Sequence, residues 1–114
     1  MFSKVNVKDI IAEVTPHGTG SRKLLVGKTD TQSVYFDAFT HGFMPSGEKF
    51  AMHRHENMIE ICLVIKGNGV IRNSSEEESF QPGDRFIFPS DTDHEIENTS
   101  NETAEFYFIR VKNS

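Results

Sequence analysis

Two histidines separated by one residue, His53 and His55, are the first feature of the sequence that could bind a ligand. On a β-strand, residues i and i+2 project from the same face, so both imidazoles can reach one ion. Glu60 follows after a short turn and is an acidic side chain inside an otherwise apolar stretch. A lone buried carboxylate is costly, so it needs a partner such as a cation. His94, at the start of a later predicted strand, supplies a third imidazole.

These four side chains form a mixed nitrogen and oxygen donor set. Three imidazoles and one carboxylate suit a divalent transition metal ion such as Fe, Mn, Co, Ni, Cu or Zn, and the sequence does not specify which. In an octahedral ion the set would leave two positions open, where water, O2 or a substrate can bind. We therefore predict one such ion, with the metal ligands His53, His55, Glu60 and His94.

Two stretches around these residues resemble the two sequence motifs of the cupin family. Residues 47–67 match the first motif, G-x5-HxH-x4-E-x6-G, at every fixed position. Residues 83–98 match the second, G-x5-PxGxxH-x3-N, except that Asp91 stands where the family usually has Gly. Because Asp tolerates left-handed backbone geometry better than most residues, we expect the turn to survive. Alternatively, the carboxylate of Asp91 could accept a hydrogen bond from a nearby backbone amide.

The resemblance implies an all-β fold, a cupin-type double-stranded β-helix (jelly-roll barrel) with a short N-terminal segment and the ion near its mouth. It covers about residues 34–111 of the sequence. We expect residues 1–114 to form a single cupin domain, since a chain of 114 residues leaves no room for two.

The residue pattern also predicts strands from residue 23 onward. Short runs rich in Phe, Val and Ile alternate with Gly, Pro, Asn, Asp and Ser. The predicted strands are residues 23–26, 34–40, 48–53, 59–65, 69–72, 79–81, 85–88, 94–97 and 105–111. A weak helical pattern covers residues 7–13, with a strand as the alternative. Residues 67–69, Gly-Asn-Gly, predict a tight hairpin turn.

The predicted strand 59–65 is apolar on both faces. Its alternating side chains are Glu60, Cys62 and Val64 on one face and Ile61, Leu63 and Ile65 on the other. A strand buried on both sides needs a cover beyond the barrel interior: another sheet, the N-terminal segment or a second subunit. Cupins commonly pair through such surfaces, so the resemblance implies a homodimer.

Other polar residues outside the proposed ligand set have structural or functional interpretations. Arg110 shares strand parity with two phenylalanines, so it either anchors an anionic substrate inside the barrel or forms a surface salt bridge. His17 and His41 lie outside the motifs and are expected to be ordinary surface or loop histidines, although His41 could instead line the barrel mouth. Asn98 is expected to cap or hydrogen-bond backbone at the end of the barrel.

Composition excludes several classes of partner. The net charge of −5 and the scattered distribution of the 12 Lys and Arg residues argue against nucleic acid. No apolar run approaches the ~20 residues of a membrane span, and the first residues lack the apolar stretch of a secretory signal. The single cysteine, Cys62, excludes an internal disulfide. We expect a cytoplasmic protein whose partners are a small molecule and a second copy of the chain.

The cupin resemblance specifies the fold better than the reaction, because one fold hosts many functions. We expect a metal-dependent, dioxygenase-like enzyme that acts on a small organic molecule. Glu60 is the candidate catalytic residue, since it could leave the metal to take a proton. Family analogy alone supports this reaction. The alternatives are a non-catalytic cupin that binds or senses a small ligand or sugar, and a cupin isomerase or lyase.

Overall fold

The computed structural model describes residues 2–16 and 18–114, so His17 lies outside the described residues. A single 3-10 turn, Val7–Asp9, precedes ten strands in the described part of the chain. In chain order the strands are β1 (Glu13–Val14), β2 (Ser21–Val26), β3 (Phe36–Met44), β4 (Lys49–His53), β5 (Met58–Lys66), β6 (Gly69–Arg72), β7 (Glu77–Phe80), β8 (Arg85–Phe88), β9 (His94–Asn98) and β10 (Ala104–Lys112).

The strands form two antiparallel sheets that face each other. One has six strands in the order β1-β2-β3-β10-β5-β8, and the other has four in the order β4-β9-β6-β7. Residues at alternate positions of β3, β5 and β10 are buried between the sheets, as the two-residue period of a strand requires. The side chains buried deepest include Phe106, Met44, Ile96, Val64 and Cys62. The prediction of an all-β jelly-roll fold is confirmed.

The N-terminal prediction is correct for one turn only. Asn6 caps the turn Val7–Asp9 by accepting a hydrogen bond from the Lys8 backbone N–H. Ile10 then returns to extended backbone, with φ −85° and ψ 126°, so no helix continues to residue 13. The chain instead pairs Glu13 with Arg22 and adds the two-residue strand β1 to the edge of the larger sheet.

The predicted hairpin at residues 67–69 is wrong. β5 pairs with β10 and β8, whereas β6 pairs with β7 and β9, so the chain crosses here from one sheet to the other. Both glycines are required by close approach. A Cβ on Gly67, whose φ is +89°, would lie 2.8 Å from the Ala104 Cβ, and a Cβ on Gly69 would overlap the Glu97 carbonyl oxygen.

The outer face of β5 has no cover within the described chain. Leu63 and Ile65 are each 37% exposed, and Ile87 on the neighbouring strand β8 is 52% exposed. The N-terminal segment does not supply the cover, because its own apolar side chains Phe2 and Ile11 are exposed. No helix in the described residues is long and apolar enough to cross a membrane.

Candidate metal centre

Both sheets contribute to the predicted ligand group. His53 is the last residue of β4 and pairs with His94, the first residue of β9, in the four-stranded sheet. Glu60 lies on β5 of the facing sheet. The i, i+2 spacing predicts His55 on the same strand as His53. In the structure His55 lies instead in the loop that joins β4 to β5. Its ring centroid nevertheless lies only 5.0 Å from that of His53.

The four side chains converge on one point. One ligand atom from each lies within 4.8 Å of the others. Nε2 of His94 lies 3.2 Å from Oε1 of Glu60, and Nε2 of His55 lies 3.5 Å from Oε2 of the same carboxylate. We call His53, His55, Glu60 and His94 the metal group.

Glu60 is buried and remains ionised. Only 5% of the residue is exposed. Burial raises the pKa of a carboxyl group, but the neighbouring imidazoles of His55 and His94 outweigh that effect and lower the pKa of Glu60 to about 2. At neutral pH the group therefore presents a carboxylate, which is the form that binds a cation.

The orientation of the His53 imidazole is fixed by the backbone. Its Nδ1 lies 2.7 Å from the carbonyl oxygen of Ala51. Because a carbonyl oxygen only accepts hydrogen bonds, Nδ1 must carry the proton and donate it. In the neutral ring Nε2 is then the unprotonated nitrogen, which is the form that a metal-ligating histidine needs, and a backbone acceptor is a common outer partner of such histidines.

His94 shows why this group fits a metal ion. His94 is 3% exposed, and neither of its ring nitrogens makes a hydrogen bond with a described residue. The 3.2 Å contact with Glu60 is thus an electrostatic approach and not an aligned hydrogen bond. Buried polar nitrogens without partners are rare and costly, and coordination to a cation would satisfy one of these two. Together with the nitrogen and oxygen donor set, this indicates that the group could hold a divalent transition metal ion.

A small cavity adjoins the metal group. Its volume is about 40 Å³. Arg110 lines it, with Nη1 4.0 Å from Oε2 of Glu60, while its Nε donates to Oδ2 of Asp37 at 3.0 Å. The interpretation as a surface salt bridge is therefore wrong, since the ion pair with Asp37 is mostly buried. The role of Arg110 as an anchor for an anionic substrate stays a prediction.

Sequence reasoning missed other polar residues of the cavity wall, among them Arg22 and Thr40. Arg22 on β2, which is ion-paired with Glu13 at 3.2 Å, and the buried Thr40 on β3 also line the cavity. Neither belongs to a motif, and each reaches the site only through the register of the six-stranded sheet. No signal in the sequence alone could have selected them.

The remaining predicted residues lie outside the metal group. His41 does not line the cavity; it lies 2.9 Å from a Glu105 oxygen and stacks on Phe43. Asn98 is fully buried and hydrogen-bonds backbone, as predicted.

Asp91 adopts the left-handed conformation with φ 63°, so the turn survives. Its carboxylate accepts from the Ser90 hydroxyl rather than from an amide, and its backbone N–H donates to the carbonyl oxygen of His55.

Comparisons with known proteins agree with this geometry. The family model described as the cupin domain matches residues 40–110. An oxalate-binding protein of Thermotoga maritima is 33% identical over 68 residues, which are 60% of this chain and 56% of that protein. The chain thus matches little more than half the length of this curated relative.

Two solved structures share the fold. The crystal structure of a predicted oxalate decarboxylase from Thermotoga maritima has a TM-score of 0.88 at 24% identity, and the match covers 96% of this chain and 99% of that one. The polyketide cyclase RemF from Streptomyces resistomycificus has a TM-score of 0.80 at 17% identity, and the match covers 100% and 81% of the two chains. At these identities the likeness shows the fold alone.

Proposed function

The chain belongs to the cupin family, and from that premise we propose that it binds a small carboxylate, of the size of oxalate, at a divalent transition metal ion held by the metal group. The bound ion would supply positive charge that attracts and polarises an oxygen of the ligand. The small size of the cavity, about 40 Å³, favours a small ligand.

The observation that carries this proposal is the position of Arg110 beside the metal group. A guanidinium presents N–H donors in a rigid fork that matches the two oxygens of a carboxylate. Arg22 and the Thr40 hydroxyl line the same wall, so the cavity offers positive charge and hydrogen-bond donors to an anion. The relative that is 33% identical is named for oxalate binding, which has this chemistry.

Metal analysis and oxalate titration of the purified protein test the proposal. We expect one transition metal ion per chain, and oxalate binding by calorimetry that disappears when the ion is removed by a chelator. His53→Ala should lose the ion, whereas His41→Ala, a change on the outer face of the sheet, should retain it. Equal metal content in the two variants, or oxalate binding to the metal-free protein, would contradict the proposal.

The dioxygenase-like reaction and the isomerase or lyase alternative stay predictions. O2 consumption by the iron-loaded protein, measured with a panel of small carboxylates and phenols, tests the first. The catalytic role of Glu60 also stays a prediction. Its lowered pKa suits a metal ligand better than a proton acceptor, because an efficient general base has a pKa near the working pH.

We also propose that two copies pair through the outer face of the six-stranded sheet. Leu63, Ile65 and Ile87 form an exposed apolar surface there. Light scattering should give twice the chain mass, and Ile87→Glu should halve it, whereas Ser79→Glu on the other sheet should not. A monomeric wild-type protein would contradict this. The cytoplasmic location and the single-domain organisation stay predictions from the sequence.

A further inference from the structure

The two paired histidines of the metal group differ in what orients them. His53 donates Nδ1–H to the Ala51 carbonyl oxygen, as metal-ligating histidines usually do. His94 makes no hydrogen bond through either nitrogen within the described chain, although it is buried. The 3.2 Å approach of its Nε2 to Oε1 of Glu60 is not an aligned hydrogen bond, so the plane of the His94 ring depends on a further contact.

Phe88 supplies that contact. The rings of Phe88 and His94 are stacked, with centroids 3.9 Å apart and planes within 2° of parallel. Phe88 is 8% exposed, so its ring is held in place by the core. Its strand β8 pairs with β5 so that Phe88 lies opposite Glu60 in the register. One aromatic residue thus neighbours two members of the metal group that come from different sheets.

Phe88 also covers one face of the His94 ring. Both residues line a second cavity of about 200 Å³ beside β6, β7 and β8. Removing the Phe88 ring would extend this cavity to the face of the imidazole and give the His94 ring room to rotate.

From these contacts we infer that Phe88 is a positioning residue of the metal centre, which holds the His94 ring plane by stacking where a hydrogen bond would otherwise hold it. This inference rests on the proposed function for its effect on metal affinity, but not for its effect on the His94 ring. Phe86 gives a matched control. It lies on the same strand and lines the same cavity, and its ring is parallel to that of Phe88 at 6.3 Å, but it has no ring contact with His94 among the described residues.

The test compares Phe88→Leu, Phe86→Leu and Phe88→Tyr. Removal of an outer partner of a metal-ligating histidine typically costs 10–100-fold in metal affinity. We expect a weakening of about that size in Phe88→Leu, with a changed visible spectrum of the cobalt-loaded protein. Phe86→Leu should bind cobalt like the wild type, and Phe88→Tyr, which keeps the ring, should restore the affinity. Equal losses in both leucine variants would show a general loosening of the core and would overturn the inference.

A metal-free readout separates this inference from the proposed function. A ring stacked face-on shifts the resonances of the protons of its neighbour, so the His94 ring protons in the metal-free protein should move in Phe88→Leu and return in Phe88→Tyr. Unmoved His94 resonances in Phe88→Leu would refute the positioning role, whether or not the protein binds metal. If the wild-type protein binds no metal, but the His94 resonances still move in Phe88→Leu, only the proposed function would be refuted.

Discussion

Arg110 and Asp37 form an ion pair beside the metal group, with Nε of the guanidinium 3.0 Å from Oδ2 of the carboxylate. They lie on the neighbouring strands β10 and β3, and both side chains are mostly buried, with 21% and 16% exposed. The ion pair occupies one edge of the guanidinium, while Nη1 lies 4.0 Å from Glu60. Asp37 therefore holds Arg110 in the orientation that turns its other donors towards the cavity.

The first prediction concerns the geometry of this guanidinium. Arg110→Lys keeps the charge but loses the planar fork that contacts Asp37 and a carboxylate at the same time. We expect the dissociation constant for oxalate to rise about tenfold, since one charge-assisted hydrogen bond contributes on the order of 1.5 kcal/mol. Metal content should be unchanged. Calorimetry measures the dissociation constant, metal analysis measures the metal content, and Arg85→Lys at an exposed position of β8 is the control. An unchanged oxalate affinity in Arg110→Lys would exclude Arg110 as an anion contact.

The second prediction concerns the pH dependence of the metal-free protein. The pKa of Glu60 in the folded chain is about 2, below its ordinary value of 4.5. A lowered pKa stabilises the folded state above pH 4.5, and this stabilisation is lost as the pH falls from 4.5 towards 2. It amounts to on the order of 3 kcal/mol. Glu60→Gln should remove that part of the pH dependence.

Urea unfolding of chelator-treated protein at a series of pH values measures the effect. Glu56→Gln, at an exposed position of the neighbouring loop, is the matched control and should keep the wild-type profile. Parallel stability profiles for Glu60→Gln and wild type between pH 4.5 and 2 would show that the histidines do not stabilise the Glu60 carboxylate in the folded chain.

The four converging side chains could be predicted from the sequence because three of them carry a local signal and His94 lies in the second cupin-like motif. His53 and His55 are close in the chain, and Glu60 is a carboxylate in an apolar strand. Arg22 and Thr40 could not be predicted, because they join the cavity only when β2 and β3 take their places in the sheet. The local patterns contain no information on which distant strands become neighbours.

The error at residues 67–69 has the same origin. Gly-Asn-Gly between two strands is compatible with a hairpin turn and equally with a crossing between sheets, since both require glycine. The crossing is selected over the hairpin by the pairing of β5 with β10 and of β6 with β9, which are contacts between residues far apart in the sequence. The register that produces these contacts also places Ala104 and Glu97 against the two glycines.

The third prediction follows from this crossing. Gly69→Ala places a methyl group against the Glu97 carbonyl oxygen and the Phe80 ring, both of which are held by the core. We expect a loss of about 3 kcal/mol in the free energy of unfolding, as for severe overpacking. Gly47→Ala is the comparison: its φ is +77° but nothing lies within 4 Å of the added Cβ, so it should lose only about 1 kcal/mol. Urea unfolding that ranks Gly47→Ala as the more damaging change would contradict the close approach at Gly69.

The fourth prediction concerns Asn98, which ties the end of the barrel together. Its Nδ2 donates to the carbonyl oxygens of Met44 and Glu102, and its Oδ1 accepts from the backbone N–H and the hydroxyl of Ser100. The residue is fully buried, so Asn98→Ala removes four hydrogen bonds and leaves buried backbone groups without partners. We expect the free energy of unfolding to fall by about 3 kcal/mol or more.

The exposed Asn68, whose side chain makes no hydrogen bond with a described residue, provides the control, and Asn68→Ala should change the stability by less than about 0.5 kcal/mol.

Asn98→Asp distinguishes the two halves of the interaction, because it keeps the acceptor oxygen for Ser100 and loses the donors to Met44 and Glu102. Its stability by urea unfolding at pH 7 should fall at least as far as that of Asn98→Ala, since a buried charge is added. A stability of Asn98→Asp equal to the wild type would mean that the hydrogen bonds donated to Met44, at the end of β3, and to Glu102, in the loop before β10, do not stabilise the fold.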